Sequence, residues 1–225
     1  MQTETPNCAQ CPFKASDRLC RIEEGRFPES CPTMNMTELI KKSLEEYNDT
    51  NGNCNFARQA AIQEATGYHG RDLGYERVRA AKTRIEEIIE FARRMNYQKL
   101  GMAFCLGLRK EAKAVEQIFS SHGFEVVSAI CKIGRVPKQT IGVSLDEQID
   151  TRRPETMCNP ILQAMILNQG EADFNILLGL CVGHDSLFFK YAEAPTTVLA
   201  VKDRLLGHNP LAAIYTLDSY YRTLK

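Results

Sequence analysis

The sequence predicts an α/β fold, a mainly parallel sheet of about four strands flanked by helices, behind a small N-terminal cysteine-rich module. Three observations predict it. From Lys99 onward, short apolar runs alternate with helix-period stretches: LGMAFCL, FEVVSAIC, FNILLGLC and TTVLAV. Continuous apolar runs of that length suit strands buried on both faces, which is the habit of parallel sheets. Glycine and Asn-Pro pairs punctuate the alternation where helices stop and start, as at Gly123 and Asn159-Pro160. Ahead of all this, Cys8, Cys11, Cys20 and Cys31 fall in a stretch with no apolar periodicity. The expected organisation is therefore 1–34 as a metal-binding module, 35–96 as a helical segment packing on the sheet, and 97–225 as the α/β domain.

Taken in order, Cys8-x2-Cys11-x8-Cys20-x10-Cys31 offers four thiolates with Pro6, Pro12, Pro28 and Pro32 between and beside them. The stretch has too little apolar surface to make a core, so a metal is the expected source of its cohesion. Tetrahedral zinc takes four such ligands, and a CxxC turn places two sulfurs close together. The second pair is not CxxC, and Cys-Pro steps also accompany iron–sulfur ligation. Zinc or an iron–sulfur cluster both fit.

Asn35 is expected to open a helix towards Tyr47, with Glu38 completing a capping box. A second helix should run from Cys54 to Thr66, after the Asn51-Gly52 turn. A third is expected from Tyr75 to Met95, burying Val78, Ile85, Ile88, Ile89 and Ala92 and exposing a charged face. Strand 100–106, helix 109–122 and strand 124–131 then form a βαβ unit. The polar stretch 132–157 interrupts the alternation, and a long insertion between sheet elements is expected to be a functional loop or lid. Asn159 caps the next helix, with Ile161, Leu162, Met165 and Ile166 as its buried stripe. The strand from Asp173 to Cys181, a short helix through Leu187 to Phe189, and strand 196–201 follow. His208-Asn209-Pro210 repeats the cap-and-proline start.

Composition narrows the function classes. Lys+Arg and Asp+Glu both count 28, so no excess of positive charge asks for nucleic acid. Trp is absent and aromatics are 8%, which leaves no stacking platform for single strands. No stretch approaches the length of a membrane span, and the N-terminus lacks the basic and apolar regions of a secretory signal. A cytoplasmic protein is expected. In a reducing compartment, nine cysteines point to metal or redox work rather than to disulfides. No GxGxxG, P-loop or GxSxG pattern occurs, so a nucleotide cofactor is not indicated.

Chemistry is expected at the carboxyl edge of the sheet, where open α/β folds carry their sites. Cys105 and Cys131 end the first two strands, Cys158 begins a helix, and Cys181 ends the third strand. Parallel strands share that edge, so the four should converge and hold a cofactor. An iron–sulfur cluster suits all-thiolate coordination, zinc is open with His184 replacing one sulfur, and proximal thiols without metal would exchange disulfides or handle persulfides. Cys181, His184, Asp185 and Lys202 are the candidate catalytic residues. His184 with Asp185 would act as ligand or acid/base, and Lys202 would neutralise an anionic centre or hold a substrate anion. Arg109 and Lys132 follow edge cysteines and are read as surface charges.

The Cys158-Asn-Pro160 start, the run Gly179-Leu-Cys-Val-Gly-His-Asp-Ser-Leu-Phe188, and the runs Val201-Lys-Asp-Arg204 and His208-Asn-Pro210 carry a resemblance. With the N-terminal cysteines they resemble an uncharacterised, cysteine-rich family of anaerobic bacteria and archaea, described only as a metal-binding domain of unknown function. The resemblance spans nearly the whole chain. It implies metal binding and supplies neither reaction nor substrate. The combined expectation is a protein with an N-terminal four-cysteine metal centre and a second centre at the sheet edge. That second centre, an iron–sulfur cluster or reactive thiols, would serve redox or sulfur chemistry with a redox or sulfur-transfer partner protein. The alternative is a non-catalytic metal-binding, sensing or interaction protein with a structural zinc site only.

Overall fold

The computed structural model describes residues 5–48 and 50–225. The chain divides into two compact units, Met1–Glu64 and Ala65–Lys225, a boundary that falls inside the expected 35–96 segment.

The first unit has α1 (Pro32–Asn35), α2 (Thr37–Glu45) and the start of α3 (Asn53–Thr66). Pro32 occupies the first helical position of α1, where its missing N–H costs nothing. Asn35 does not open a helix as expected. It ends α1, and its amide donates to the Glu29 carbonyl at 2.5 Å. Met36 precedes α2 without a capping side chain. Among the described residues of this unit no hydrophobic side chain is buried, and Leu39 and Leu44 are largely exposed. Hydrophobic burial therefore supplies little of its cohesion.

In the second unit, β1 (Tyr68–His69) pairs antiparallel with β2 (Arg79–Ala80). The expected 75–95 helix is thus cut to α4 (Arg84–Arg94), with a short 3₁₀ turn at Tyr75–Arg77 before it. Gly70 and Gly74, at φ +73° and +89°, turn the chain where a helix cannot continue. The true helix start is Thr83: the Glu86 carboxylate accepts from the Thr83 N–H at 2.7 Å and from its hydroxyl at 2.6 Å. Those bonds hold Glu86 below the usual carboxylate range.

The main sheet has β3 (Lys99–Phe104), β4 (Glu125–Ile130), β5 (Phe174–Leu178) and β6 (Thr196–Ala200), in spatial order β4-β3-β5-β6, all parallel. Lys99 pairs with Glu125 and Phe104 with Ile130, so β3 and β4 end level. The helices are α5 (Arg109–Ser121), α6 (Pro160–Gln169), α7 (His184–Tyr191) and α8 (Leu211–Tyr215). Side chains alternate across the sheet. Ala103, Ala129 and Leu177 pack with Ala164 and Leu167 of α6 and with Phe188 of α7. Phe174, on the other face, meets Phe91 of α4 at 5.5 Å between ring centroids. Gly101 lets α6 approach: a Cβ there would stand 2.2 Å from Asn175 Oδ1 and 3.0 Å from Leu167 Cδ1.

The buried positions of α6 are Pro160, Gln163, Ala164 and Leu167, not the expected Ile161, Leu162, Met165 and Ile166. The close approach over Gly101 selects the small side of the helix, and Met165 stays 50% exposed. Residues 132–157 form a loop, as expected, with one short 3₁₀ turn. Its neck is a bridge between Pro137 and Thr156. Beside the neck, Lys138 pairs with Glu155 at 2.5 Å in a largely shielded position, which holds the Glu155 carboxyl below its ordinary value. Among the described residues no helix is long and apolar enough to cross a membrane.

Candidate thiolate site at the sheet edge

The ends of β3, β4 and β5 are continued by backbone bonds that fix the edge cysteines. Cys105 N–H donates to Leu178 O at 3.1 Å, and Cys131 N–H to Phe104 O at 2.9 Å. The Cys131 carbonyl accepts from Asn159 N–H at 2.8 Å, which brings the start of α6, and Cys158 with it, to the end of β4. Asn159 caps that helix as expected, its Oδ1 accepting from Leu162 N–H at 3.0 Å. Gln163, fully buried, donates to the carbonyls of Phe104 and Ala129 at 3.2 and 2.7 Å and ties both strand ends to α6.

Three of the four expected thiols meet. Cys131 neighbours Cys105 on one side and Cys158 on the other, and Cys158 also neighbours His184, each pair close enough to shift the other's titration. The contacts run in series, 105 to 131 to 158 to 184. Cys131 is 3% exposed, and its sulfur accepts from Leu106 N–H at 3.2 Å. It has one proton to offer two sulfurs, so at any instant it donates to Cys105 or to Cys158.

The electrostatics follow from this order. The bond from Cys131, then those from the Gly107 N–H and Lys202, bring Cys105 down to about 5 against burial. The bond from Cys131, then the His184 ring, bring Cys158 down to about 4, with Lys132 adding attraction. Cys131 moves the other way: flanked by two sulfurs that take its proton's bond, and buried, it is held as a thiol far above the ordinary range. His184 is raised, mainly by Cys158, with Asp185 contributing a weaker attraction. The surroundings thus favour the thiolate at Cys105 and at Cys158, the Cys131 proton serving one of them at a time, and the thiol at Cys131.

Cys181 stands apart from this line. It lines the same pocket, but Arg204 donates to its sulfur at 3.1 Å. Asp185 is turned away to the Ser186 N–H at 2.8 Å. Lys202 reaches Cys105, and Lys132 lines the pocket by Cys158 rather than serving as a surface charge. Arg109, at the head of α5, does not line the pocket. Arg204 and Lys138 are pocket residues that the sequence pattern did not place at the site, although Arg204 ends the Val201–Arg204 run that carries the resemblance. For Arg204 the available clue was its place two residues after Lys202, just past the fourth strand. The thiols line a pocket of about 670 Å³, to which the 132–157 loop contributes Ile141, Val143, Ile149 and Met157 as well as Lys132, Lys138 and Glu147.

The N-terminal cysteines line one small pocket of about 50 Å³: Cys8, Cys11, Cys20 and Cys31 are all in its wall. Among the described residues, no three His, Cys, Asp or Glu side chains converge tightly enough to hold a metal ion, here or at the sheet edge. None of the nine cysteines is in a disulfide.

Residues 31–199 match a protein family described as a protein of unknown function, DUF1847. An uncharacterized protein of Methanocaldococcus jannaschii is 46% identical over 184 residues, covering 82% of this chain and 86% of that protein. No solved structure matches the chain. The family span contains all four edge cysteines and His184. Cys8, Cys11, Cys20, Lys202 and Arg204 lie outside it.

Proposed function

Because the chain belongs to the DUF1847 family, whose description assigns no reaction, we propose from the placement of the edge thiols and the charges around them that the sheet edge is a dithiol redox site, with Cys158 as nucleophile and Cys131 as resolving thiol. The observation that carries this reading is the placement of Cys131 between Cys105 and Cys158 at the shared strand edge, with the two outer thiols lowered and the middle one raised. Thiols gathered at one strand edge, close enough to shift one another's titration, can be joined in a disulfide by a local movement. An iron–sulfur cluster, with thiolates on separate irons, would instead require them to be spread apart.

Cys158 thiolate attacks one sulfur of a substrate disulfide R–S–S–R. The Cys158–S–S–R bond forms and one R–S⁻ leaves. Cys131 gives its proton to the Cys105 thiolate and attacks the Cys158 sulfur, and the second R–S⁻ leaves. The substrate disulfide takes up two electrons; Cys131 and Cys158 are oxidised to a disulfide; Cys105 ends as a thiol. The charge is minus two before and after. A reduced dithiol partner resets the site by the reverse exchange. His184 positions and stabilises the Cys158 thiolate, and Lys202 does so for Cys105. The test is trapping: Cys131→Ser should accumulate a mixed disulfide on Cys158, and Cys158→Ser should abolish the reaction. Equal turnover in Cys158→Ser refutes the assignment.

The N-terminal quartet is proposed as a separate structural metal centre. Cys8, Cys11, Cys20 and Cys31 surround one pocket in a unit without a hydrophobic core, and four thiolates are the donor set of structural zinc. A metal there would supply folding energy and no step of the reaction, and it would draw the sulfurs inward from their present positions. Metal analysis should find one metal centre per chain, lost in a Cys8→Ser/Cys20→Ser variant that keeps the Cys158 reaction. A second metal centre, lost on Cys131→Ser, would place metal rather than free thiols at the sheet edge.

A further inference from the structure

We infer that the pocket selects small-molecule disulfides that carry an anionic end group, with Lys132, Lys202 and Arg204 as the selecting residues; this rests on the dithiol reading above. Among the described residues, none of the three has a carboxylate within ion-pair distance. All three line the pocket. Lys138 also lines it but is spent on Glu155. Glu147, the carboxylate in the pocket wall, accepts from the Ser144 N–H at 2.9 Å and from its hydroxyl at 3.0 Å.

The cations are held in place by the chain around them. The segment after β6 is knotted: Asp203 Oδ1 accepts from Leu205 and Leu206 N–H at 3.0 and 2.8 Å. That carboxylate is therefore committed to backbone and not to its neighbours Lys202 and Arg204. His208, at φ +68°, has its backbone N–H bonded to Asp203 O at 2.9 Å, and the Asp203 N–H donates to its ring at 3.1 Å. The strained His208 backbone is the kind that persists only where its surroundings impose it. Lys132 is anchored by donation to Thr156 O at 2.5 Å.

The lining is of two kinds: apolar side chains, Ile141, Val143, Ile149 and Met157, and cations, Lys132 from the start of the same loop with Lys202 and Arg204 from the segment after β6. A ligand with an apolar body and an anionic end satisfies both. The volume, about 670 Å³, suits a metabolite-sized molecule and not a protein segment. The reaction adds a reason: each exchange releases R–S⁻ into the pocket, and fixed cations stabilise charge where it develops.

Three aliphatic disulfides of similar size separate the outcomes: 3,3′-dithiodipropionate as dianion, bis(2-hydroxyethyl) disulfide as neutral, and cystamine as dication. Rates are normalised to those of a small free thiol. The dianion should be preferred over the dication by at least tenfold at low salt. The preference should fall towards unity near 1 M salt, where the screening length is about 3 Å, and should shrink or invert in Arg204→Glu. A preference under threefold, or one unmoved by salt and by Arg204→Glu, overturns the inference and leaves the dithiol reading standing. Calorimetric binding to the unreactive Cys158→Ser variant separates the two failures. Salt-sensitive binding of dithiodipropionate but not cystamine supports the anion site even if no exchange occurs, and its absence overturns it.

Discussion

Alkylation of Cys158 by iodoacetamide should depend on pH in a way no ordinary cysteine does. With its thiol held down to about 4, Cys158 is fully ionised from pH 6 upward, so its rate should be flat between pH 6 and 8. A free thiol near 8.5 gains about tenfold per pH unit over most of that range. At pH 6 such a thiol is only about 0.3% ionised, which gives Cys158 roughly a 300-fold advantage in thiolate fraction. Nucleophilicity falls with basicity, at a slope of about 0.4 to 0.5. Over some 4.5 units that costs Cys158 roughly 60- to 180-fold. Cys158 should thus react about two- to five-fold faster than a free thiol at pH 6, and some twenty-fold slower at pH 8. Removing the His184 bond in His184→Gln deletes a hydrogen bond to a charged group, worth about 1.5–3 kcal/mol, or about one to two pKa units. Thiolate absorbance near 240 nm would follow that rise directly. A Cys158 labelling rate that climbs tenfold per unit between pH 6 and 8 in the wild type would refute the reasoning.

Other outcomes follow from the packing and charge. Phe119→Ala, at a fully buried position of α5, should cost about 3–5 kcal/mol in urea denaturation, and a loss under about 1 kcal/mol would contradict the burial. Gly101→Ala sets a methyl against Asn175 and Leu167, and should cost roughly 1–3 kcal/mol or more. Asn159→Ala removes the α6 cap and should cost about 1 kcal/mol, seen as a lower urea midpoint. The lowered Cys158 value contributes stability that is fully present above the unfolded thiol's value and lost as pH falls through the folded one. Between pH 8.5 and 5 the wild type should therefore lose more stability than Cys158→Ser, and equal losses would contradict the assignment.

Much of this architecture was legible in the residues. Continuous apolar runs marked β3, β4, β5 and β6, and the cysteines that end or follow them marked their carboxyl edge. The four-strand parallel sheet follows from that alternation. Less legible was anything decided by close packing. The buried side of α6 is its smaller side, chosen by Gly101 beneath it, whereas hydrophobicity pointed to Met165 and its neighbours. The 75–95 stretch reads as helix by period, but Gly70 and Gly74 turn the chain into β1 and β2 before Thr83 starts α4. At the site, the shared edge was enough to predict that thiols would meet. It could not predict that Cys181 would be held by Arg204 instead, because that depends on how the chain folds back after β6.

The electrostatic asymmetry was also beyond the sequence. Cys105 and Cys158 differ from Cys131 only in what surrounds them, and those surroundings come from three separate segments. Lys202 arrives from the turn after β6, His184 from the start of α7, and Lys132 from the loop after β4. A pattern of residue types carries no information on which thiol keeps the proton.

The most direct measurement is peptide mass mapping of the protein after one equivalent of bis(2-hydroxyethyl) disulfide, quenched with acid. The predicted product joins Cys131 to Cys158, with Cys105, Cys181 and His184 unmodified. A disulfide from Cys158 to Cys181, or adducts scattered over the cysteines with none on Cys158, would contradict the account.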